Sequence, residues 1–335
     1  MLDSLLHTLL RQAPSNSLWC LGENTTVPAD SHFQGLAITN RYTSHQQLRH
    51  LGIHCELSDF DFSTTPDNSL AVAIWRIVKE KAINTHVLYS LLHKLHDDGV
   101  LHLIGYRNEG MDSLLKLIQT QTNCTLERHK LKKQLQHITL HKPSTIDFPN
   151  DYTQLQKFSI DTLDFYSKPG VFGWQKIDQG SRLLIEQFAK YPVDPSHKLL
   201  DLGCGYGYLS IKAKQLGYQT IDASDNNAAS IIACQANFAL YQINGNVFID
   251  DCASRASNRY DTVLCNPPFH QGFDHDKKLI ERFCQAASRV LHQQGQAFFV
   301  INQFIGLEKI ASAYFRQQQI VVQEQGFKVL HLTKS

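Results

Sequence analysis

A chain of 335 residues exceeds the length at which one hydrophobic core normally keeps growing, so two domains are expected. With 42% hydrophobic and 19% charged residues, the balance is that of a globular protein and excludes a disordered one. The net charge is +1, and residues 1–150 hold 14 of the 32 basic and 14 of the 31 acidic side chains, which excludes a uniformly basic domain in either half.

No apolar run approaches bilayer length, and Met1-Leu2-Asp3-Ser4 carries no basic n-region. A soluble, unexported, cytoplasmic chain with no membrane contact is the expectation, and a monomer is expected. The eight cysteines form no C-x-x-C pair, so neither a zinc site nor a disulfide framework is indicated and no metal is expected.

In chain order, Leu18–Leu21 and Leu70–Ile77 read as buried strands. Asn84–His96 reads as an amphipathic helix with Val87, Leu88, Leu91, Leu92 and Leu95 on one face, Asn84 as its N-cap and Gly99 at its end. A strand over Val100–Ile104, a helix over Met111–Ile118 and a strand over Leu135–Leu140 complete residues 1–150. This alternation predicts an α/β domain with a mostly parallel sheet covered by helices. Arg128, His129, Lys130, Lys132 and Lys133 form its best local basic patch, read equally as a solvated face or as a phosphate contact. The polar, proline-bearing stretch from Pro143 to Asp164 reads as the connection, with the linker placed at 151–164 and a second domain at 165–335.

The second half turns on Leu199–Ser210, where a strand breaks into Gly203, Gly205 and Gly207 before a helix. Glycines there permit positive φ and let the backbone approach a nucleoside. Asp201 ends the strand, and Asp225 stands 18 residues past Gly207, where an acid in such a sheet meets ribose hydroxyls. Asp222 is the rival, but it falls inside the apparent strand, whereas Asp225 precedes the Ala228–Leu240 helix. After the strand Val247–Ile249 come Asp250 and Asp251, of which Asp251 is favoured to accept from an adenine amine.

The most specific stretch is Asp261–His270, a buried strand closed by Asn266-Pro267-Pro268-Phe269. The prolines have no N–H to donate and fix the turn. The side-chain oxygen of Asn266 and the carbonyl of Pro267 can together accept both hydrogens of an exocyclic amine, aiming its lone pair at a methyl donor. Phe269 offers a face for a stacked base. A helix over Leu279–Leu291 closed by Gly295, a strand over Ala297–Ile301, a helix over Leu307–Phe315 and a last strand over Lys328–Leu332 follow. This ending repeats that of the first half: Gln136–Lys142 parallels Lys328–Lys334, and Tyr106–Gly110 parallels Asn302–Gly306. The first copy has one glycine, Gly22, for three and no Asn-Pro-Pro turn.

The turn Asp201-Leu202-Gly203-Cys204-Gly205 resembles motif I of the S-adenosylmethionine-dependent methyltransferases, and Asn266–Phe269 resembles the amine-positioning motif of the amino-methyltransferases. With Lys168–Phe172, Phe269-His270-Gln271-Gly272 and Phe327-Lys328-Val329, the whole chain resembles the bacterial small-subunit ribosomal RNA guanine-N2 methyltransferases, which carry a degenerate N-terminal copy before the active one. The resemblance implies two Rossmann-like class I methyltransferase domains in tandem, the second catalytic. It also implies S-adenosyl-L-methionine (SAM) as cofactor and N2-methylguanosine in 16S rRNA as product, with ribosomal RNA or the small subunit as partner. Asn266, Pro267 and Phe269 would be catalytic. Asp201, Gly203, Gly205, Gly207, Asp225, Asp251 and Asn266 would line the cofactor, and Lys168 and Phe172 would close over cofactor or base. The alternatives are a guanine-N2 methyltransferase of 23S rRNA, a DNA adenine-N6 or release-factor glutamine-N5 methyltransferase, in which tyrosine often replaces Phe269, and a non-catalytic RNA-binding protein.

Overall fold

A computed structural model describes residues 2–122, 124–146, 150–256, 259–268 and 273–334. The chain divides into two compact units, Met1–Gln154 and Leu155–Ser335. In the first, α1 (Leu2–Gln12) precedes β1 (Ser17–Leu21). After it come β2 (Leu36–Thr39), α2 (Tyr42–His50), β3 (Cys55–Leu57), β4 (Leu70–Arg76), α3 (Lys81–Lys94), β5 (Leu95–Tyr106), α4 (Met111–Gln121), β6 (Leu126–Lys130) and β7 (Leu135–His141). The second opens with a hairpin, β8 (Gln156–Ile160) and β9 (Leu163–Ser167), and then α5 (Gln179–Phe188). It continues through β10 (Lys198–Leu202), α6 (Tyr208–Leu216), β11 (Thr220–Asp225), α7 (Ala228–Leu240), β12 (Val247–Ile249) and β13 (Tyr260–Cys265). It ends with α8 (Phe273–Val290), β14 (Leu291–Asn302), α9 (Leu307–Ala311), β15 (Gln317–Glu324) and β16 (Phe327–Thr333).

The two sheets have the same order, β3-β2-β1-β4-β5-β7-β6 and β12-β11-β10-β13-β14-β16-β15. Five strands of each run parallel, and the last two are antiparallel to their neighbours. Both are doubly wound. Alternate residues of β1 feed opposite cores, Leu18 and Cys20 one face and Trp19 and Leu21 the other, as a central strand covered on both sides requires. In β10, Leu199 and Leu200 divide the same way.

Three sequence expectations need correction. Asn84 is not an N-cap: α3 begins at Lys81, and the buried Asn84 side chain accepts from Trp75 Nε1 (3.1 Å) and the Val78 amide (2.9 Å), tying the helix to the end of β4. The same helix ends at Lys94 and not at Gly99, because Leu95 already pairs with Leu70 in β5. The 151–164 stretch holds β8 and the start of β9, whose Tyr166 is fastened to Asn237 of α7 through its amide (2.7 Å) and carbonyl (2.8 Å). That hairpin lies within the second unit.

By register, Trp19, Thr39 and Arg76 stand in the first unit where the second has Asp201, Asp225 and Asn266. Among the described residues no helix joins β1 to β2, so the first unit lacks the counterpart of α6 as well as the glycines. Its carboxyl edge is closed. Arg76, 3% exposed, donates to the Ile77 carbonyl (2.7 Å) and to Glu109 (2.7 Å), and Asn24 donates to both of the same groups. A Cβ on Gly22 would meet Val78 at 2.3 Å. Packing and a buried ion pair occupy the space a ligand would need, and breaking such a pair costs about 3–5 kcal/mol.

Candidate active site

The site of the second unit lies at the carboxyl edge of β10, β11 and β13, where open α/β sheets bind ligands. Gly203, Gly205 and Gly207 have φ of +85°, +55° and +89°. Nothing lies within 4 Å of a Cβ built on Gly205, so that position faces open space, whereas a Cβ on Gly207 would meet Cys234 Sγ at 2.9 Å. The first opens the turn to a ligand and the second lets the start of α6 pack on α7.

Two carboxylates flank the turn. Asp225, the last residue of β11, accepts from the Gly205 amide through Oδ2 (2.9 Å) and from the Asn227 amide through Oδ1 (2.8 Å). Asp201 is fully buried and accepts from the Ser210 amide (3.0 Å) and hydroxyl (2.7 Å) through Oδ2. Among the described residues its Oδ1 has no partner. Burial raises the Asp201 carboxyl to about 7, against the lowering bonds from Ser210 and with the charge of Asp225 adding to the rise. An orphaned buried acceptor beside an open glycine turn fits a ligand that brings an ammonium group.

The Asp201 pKa sets a pH dependence. Its folded value lies above the unfolded value near 4, so its stabilising contribution is complete below about pH 4 and is lost as pH rises through 7. Denaturant unfolding between pH 5 and pH 8 should therefore show stability falling more steeply for the wild type than for Asp201→Asn, by on the order of a few kcal/mol. Equal slopes would place the Asp201 titration elsewhere.

Asp222 sits mid-strand, 4% exposed, accepting from Tyr260 Oη (2.8 Å) and the Asn246 amide (2.7 Å). It belongs to the interior. Asp250 is also turned inward, holding the Asp251, Ser254 and Arg255 loop, and Asp251 carries an ion pair to Arg282 of α8. The Lys168–Phe172 segment is held beside Asp225, because Asn227 Nδ2 donates to the Gly170 carbonyl (2.8 Å). Lys168 is buried and Phe172 exposed. Tyr206, inside the glycine turn, donates to the Lys176 carbonyl (3.0 Å), so residues 170–176 wrap this edge.

Asn266 follows β13, with Pro267 buried behind it; Phe269 lies outside the described residues, as do His270, Gln271 and Gly272. The Asn266 Nδ2 donates to Asp178 Oδ2 (2.8 Å) and to Ser181 Oγ (2.8 Å). A carboxylate only accepts, so the nitrogen must face Asp178, and Oδ1 is the end left for a ligand. Sequence reasoning missed Asp178 and Ser181. The pattern Asp178-x-x-Ser181 before an apolar helix signals a cap, but nothing local links it to Asn266. The thiols of the site stay protonated: the Cys234 partner and burial push Cys204 up, and burial does the same for Cys265.

A seven-stranded doubly wound sheet of this order, an open glycine turn ringed by two acids and an oriented Asn-Pro-Pro turn define a class I methyltransferase domain. The chain belongs to the methyltransferase small domain family, whose model matches residues 162–331. It is 28% identical over 274 residues to the ribosomal RNA small subunit methyltransferase C of Colwellia psychrerythraea, spanning 80% of this chain and 75% of that protein. The protein of the same name from Vibrio parahaemolyticus is 28% identical over 310 residues, 89% of this chain and 86% of its own. In fold, the chain is similar to a T. thermophilus 16S rRNA N2 methyltransferase (RsmC) solved in complex with AdoMet and guanosine, with a TM-score of 0.82 at 20% identity, covering 99% of this chain and 92% of that one. Among the described residues no helix is long and apolar enough to cross a membrane.

Proposed function

We propose that this chain transfers the methyl group of S-adenosyl-L-methionine to the exocyclic N2 of a guanosine in 16S rRNA of the small ribosomal subunit, working in the cytoplasm. The observation that carries the reading is the Asn266 carboxamide, whose nitrogen is held by Asp178 and Ser181 so that Oδ1 is left to accept. Asp201, Gly203, Gly205, Gly207 and Asp225 would hold the cofactor, the orphaned Asp201 oxygen suiting its ammonium and Asp225 its ribose. The bound cofactor supplies an electrophilic methyl on a sulfonium.

The protein's part is positioning. Asn266 Oδ1 and the Pro267 carbonyl accept the two amine hydrogens and draw the nitrogen lone pair out of conjugation with the ring. No strong base is needed, since the proton leaves after the nitrogen has become cationic. We assign Phe269 to stacking on the target base, and Phe172 and Lys168 to the wall that encloses it. Asp251 is assigned to the adenine side of the cleft. In the first unit Lys130, Lys132 and Lys133 lie exposed at and after the edge strand β6, while Arg128 is held by Asp112 (2.6 Å); these lysines are the RNA contact we assign.

The choice of the small-subunit RNA is supported by relatives named for that subunit, and the choice of guanine N2 by the similarly folded T. thermophilus 16S rRNA N2 methyltransferase solved in complex with guanosine. Labelled SAM incubated with the chain and separated ribosomal particles should place label on small-subunit RNA. Nuclease digestion and mass spectrometry should return N2-methylguanosine. Label on 23S rRNA, on N6-methyladenosine or on protein glutamine would overturn the substrate and leave the site standing.

A further inference from the structure

The hydrogen bonds around Asn266 do more than occupy its nitrogen. Asp178 is the N-cap of α5, with φ −65° and ψ 134°, and its Oδ2 accepts from the Ser181 amide (2.9 Å). The same Oδ2 accepts from Asn266 Nδ2 (2.8 Å), and the second Nδ2 hydrogen goes to Ser181 Oγ (2.8 Å). One helix cap thus serves a turn 88 residues away in the chain. Gly180, between the two partners, is buried, and a Cβ there would stand 3.1 Å from Asp178 Oδ2 and from the Phe327 ring. The clamp is therefore packed from behind.

We propose that Asp178 and Ser181 are positioning residues for methyl transfer, fixing the Asn266 carboxamide with Oδ1 toward the target amine. The inference rests on the amine-positioning reading of Asn266. A carboxamide released from both acceptors can rotate and present its NH2 to an amine that itself only donates, which removes the contact. A donor bond to a carboxylate also polarises the amide, so its oxygen becomes the better acceptor. Asp178 touches neither methyl nor base and acts only through Asn266.

Asp178→Ser separates capping from clamping. Serine caps a helix as well as aspartate does but is too short to reach Asn266. With small ribosomal subunits and labelled SAM, kcat should fall roughly 10- to 100-fold, while KM for the particle, SAM affinity and thermal midpoint stay near wild type. Asp178→Asn keeps an oxygen at the same reach and should restore most of kcat. Should Asp178→Ser fail to fold, Ser181→Ala carries the test, since it keeps the backbone cap and should lower kcat several-fold with SAM affinity unchanged. A kcat near wild type in whichever variant carries the test, or parallel losses of kcat, SAM affinity and stability without rescue by Asp178→Asn, would overturn the proposal. Failure of the underlying reading is a different result: Asn266→Ala itself would then turn over near the wild-type rate, and both ideas would fall.

Discussion

Replacing Asn266 with alanine should slow methyl transfer on the order of 10²–10³-fold and leave SAM affinity nearly unchanged. The residue sits at the carboxyl end of β13, and the prolines that follow cannot donate or bend, so its place is set by backbone. Its Nδ2 spends both hydrogens on Asp178 and Ser181. What alanine removes is one oxygen, the acceptor for an amine hydrogen. Without it the nitrogen lone pair stays in the ring's conjugation and the reacting atoms lose alignment. Removing a comparable preorganised polar group costs on the order of 10²–10³-fold in kcat. Single-turnover transfer of labelled methyl, read beside calorimetric SAM titration, separates the two effects. A rate near wild type sinks the amine-positioning mechanism, and a matched loss of SAM affinity would make Asn266 a cofactor residue first.

Much of this site was legible because its signals are local. Three glycines at alternate positions after an apolar run can only be a turn, and two prolines after a buried strand can only end it. The place of Asp225 at the end of β11 followed from where that strand stops. The duplication was legible in the endings of the two halves because β7 and β16 carry matching alternation. What stayed hidden depends on contacts distant in sequence. The clamp on Asn266 joins residues 88 and 85 apart. Asn84 looks like a cap because an asparagine precedes an apolar repeat, yet its side chain is spent on Trp75 and Val78 inside the unit. Strands of three to five residues, such as β2, β3 and β6, hold too few side chains for a period to register. The polar β15 does not announce itself because only one of its faces can be buried, and its residues are half-buried at most.

The closure of the first unit follows the same logic. A lone Gly22 was readable, but the network that fills the edge in place of a ligand was not. Arg76, Glu109 and Asn24 come from three separate segments. Each residue that would have served a ligand has a substitute that serves packing. Trp19, packed edge-on against Phe33, stands where the second unit has its buried acid, and Arg76, paired with Glu109, where it has the asparagine.

The second large effect is expected at β11, where two acids three residues apart should respond to alanine in opposite ways. Asp225→Ala removes the acceptor assigned to the ribose and also releases the Gly205 and Asn227 amides that shape the turn. Charged hydrogen bonds are worth about 1.5–3 kcal/mol each, so losing two to the ribose should weaken SAM on the order of 10²–10⁴-fold. The thermal midpoint should move little by comparison, because Asp225 is half-exposed and water can take over the freed amides. Asp222→Ala strands Tyr260 Oη and the Asn246 amide in the interior, at about 1–3 kcal/mol for each unsatisfied group, without touching the cleft. It should lower the midpoint and spare the affinity of whatever protein remains folded. Calorimetric titration with SAM and thermal denaturation of both variants give the four numbers needed. Retained affinity in Asp225→Ala together with lost affinity in folded Asp222→Ala would move the ribose contact off the strand end and into the strand.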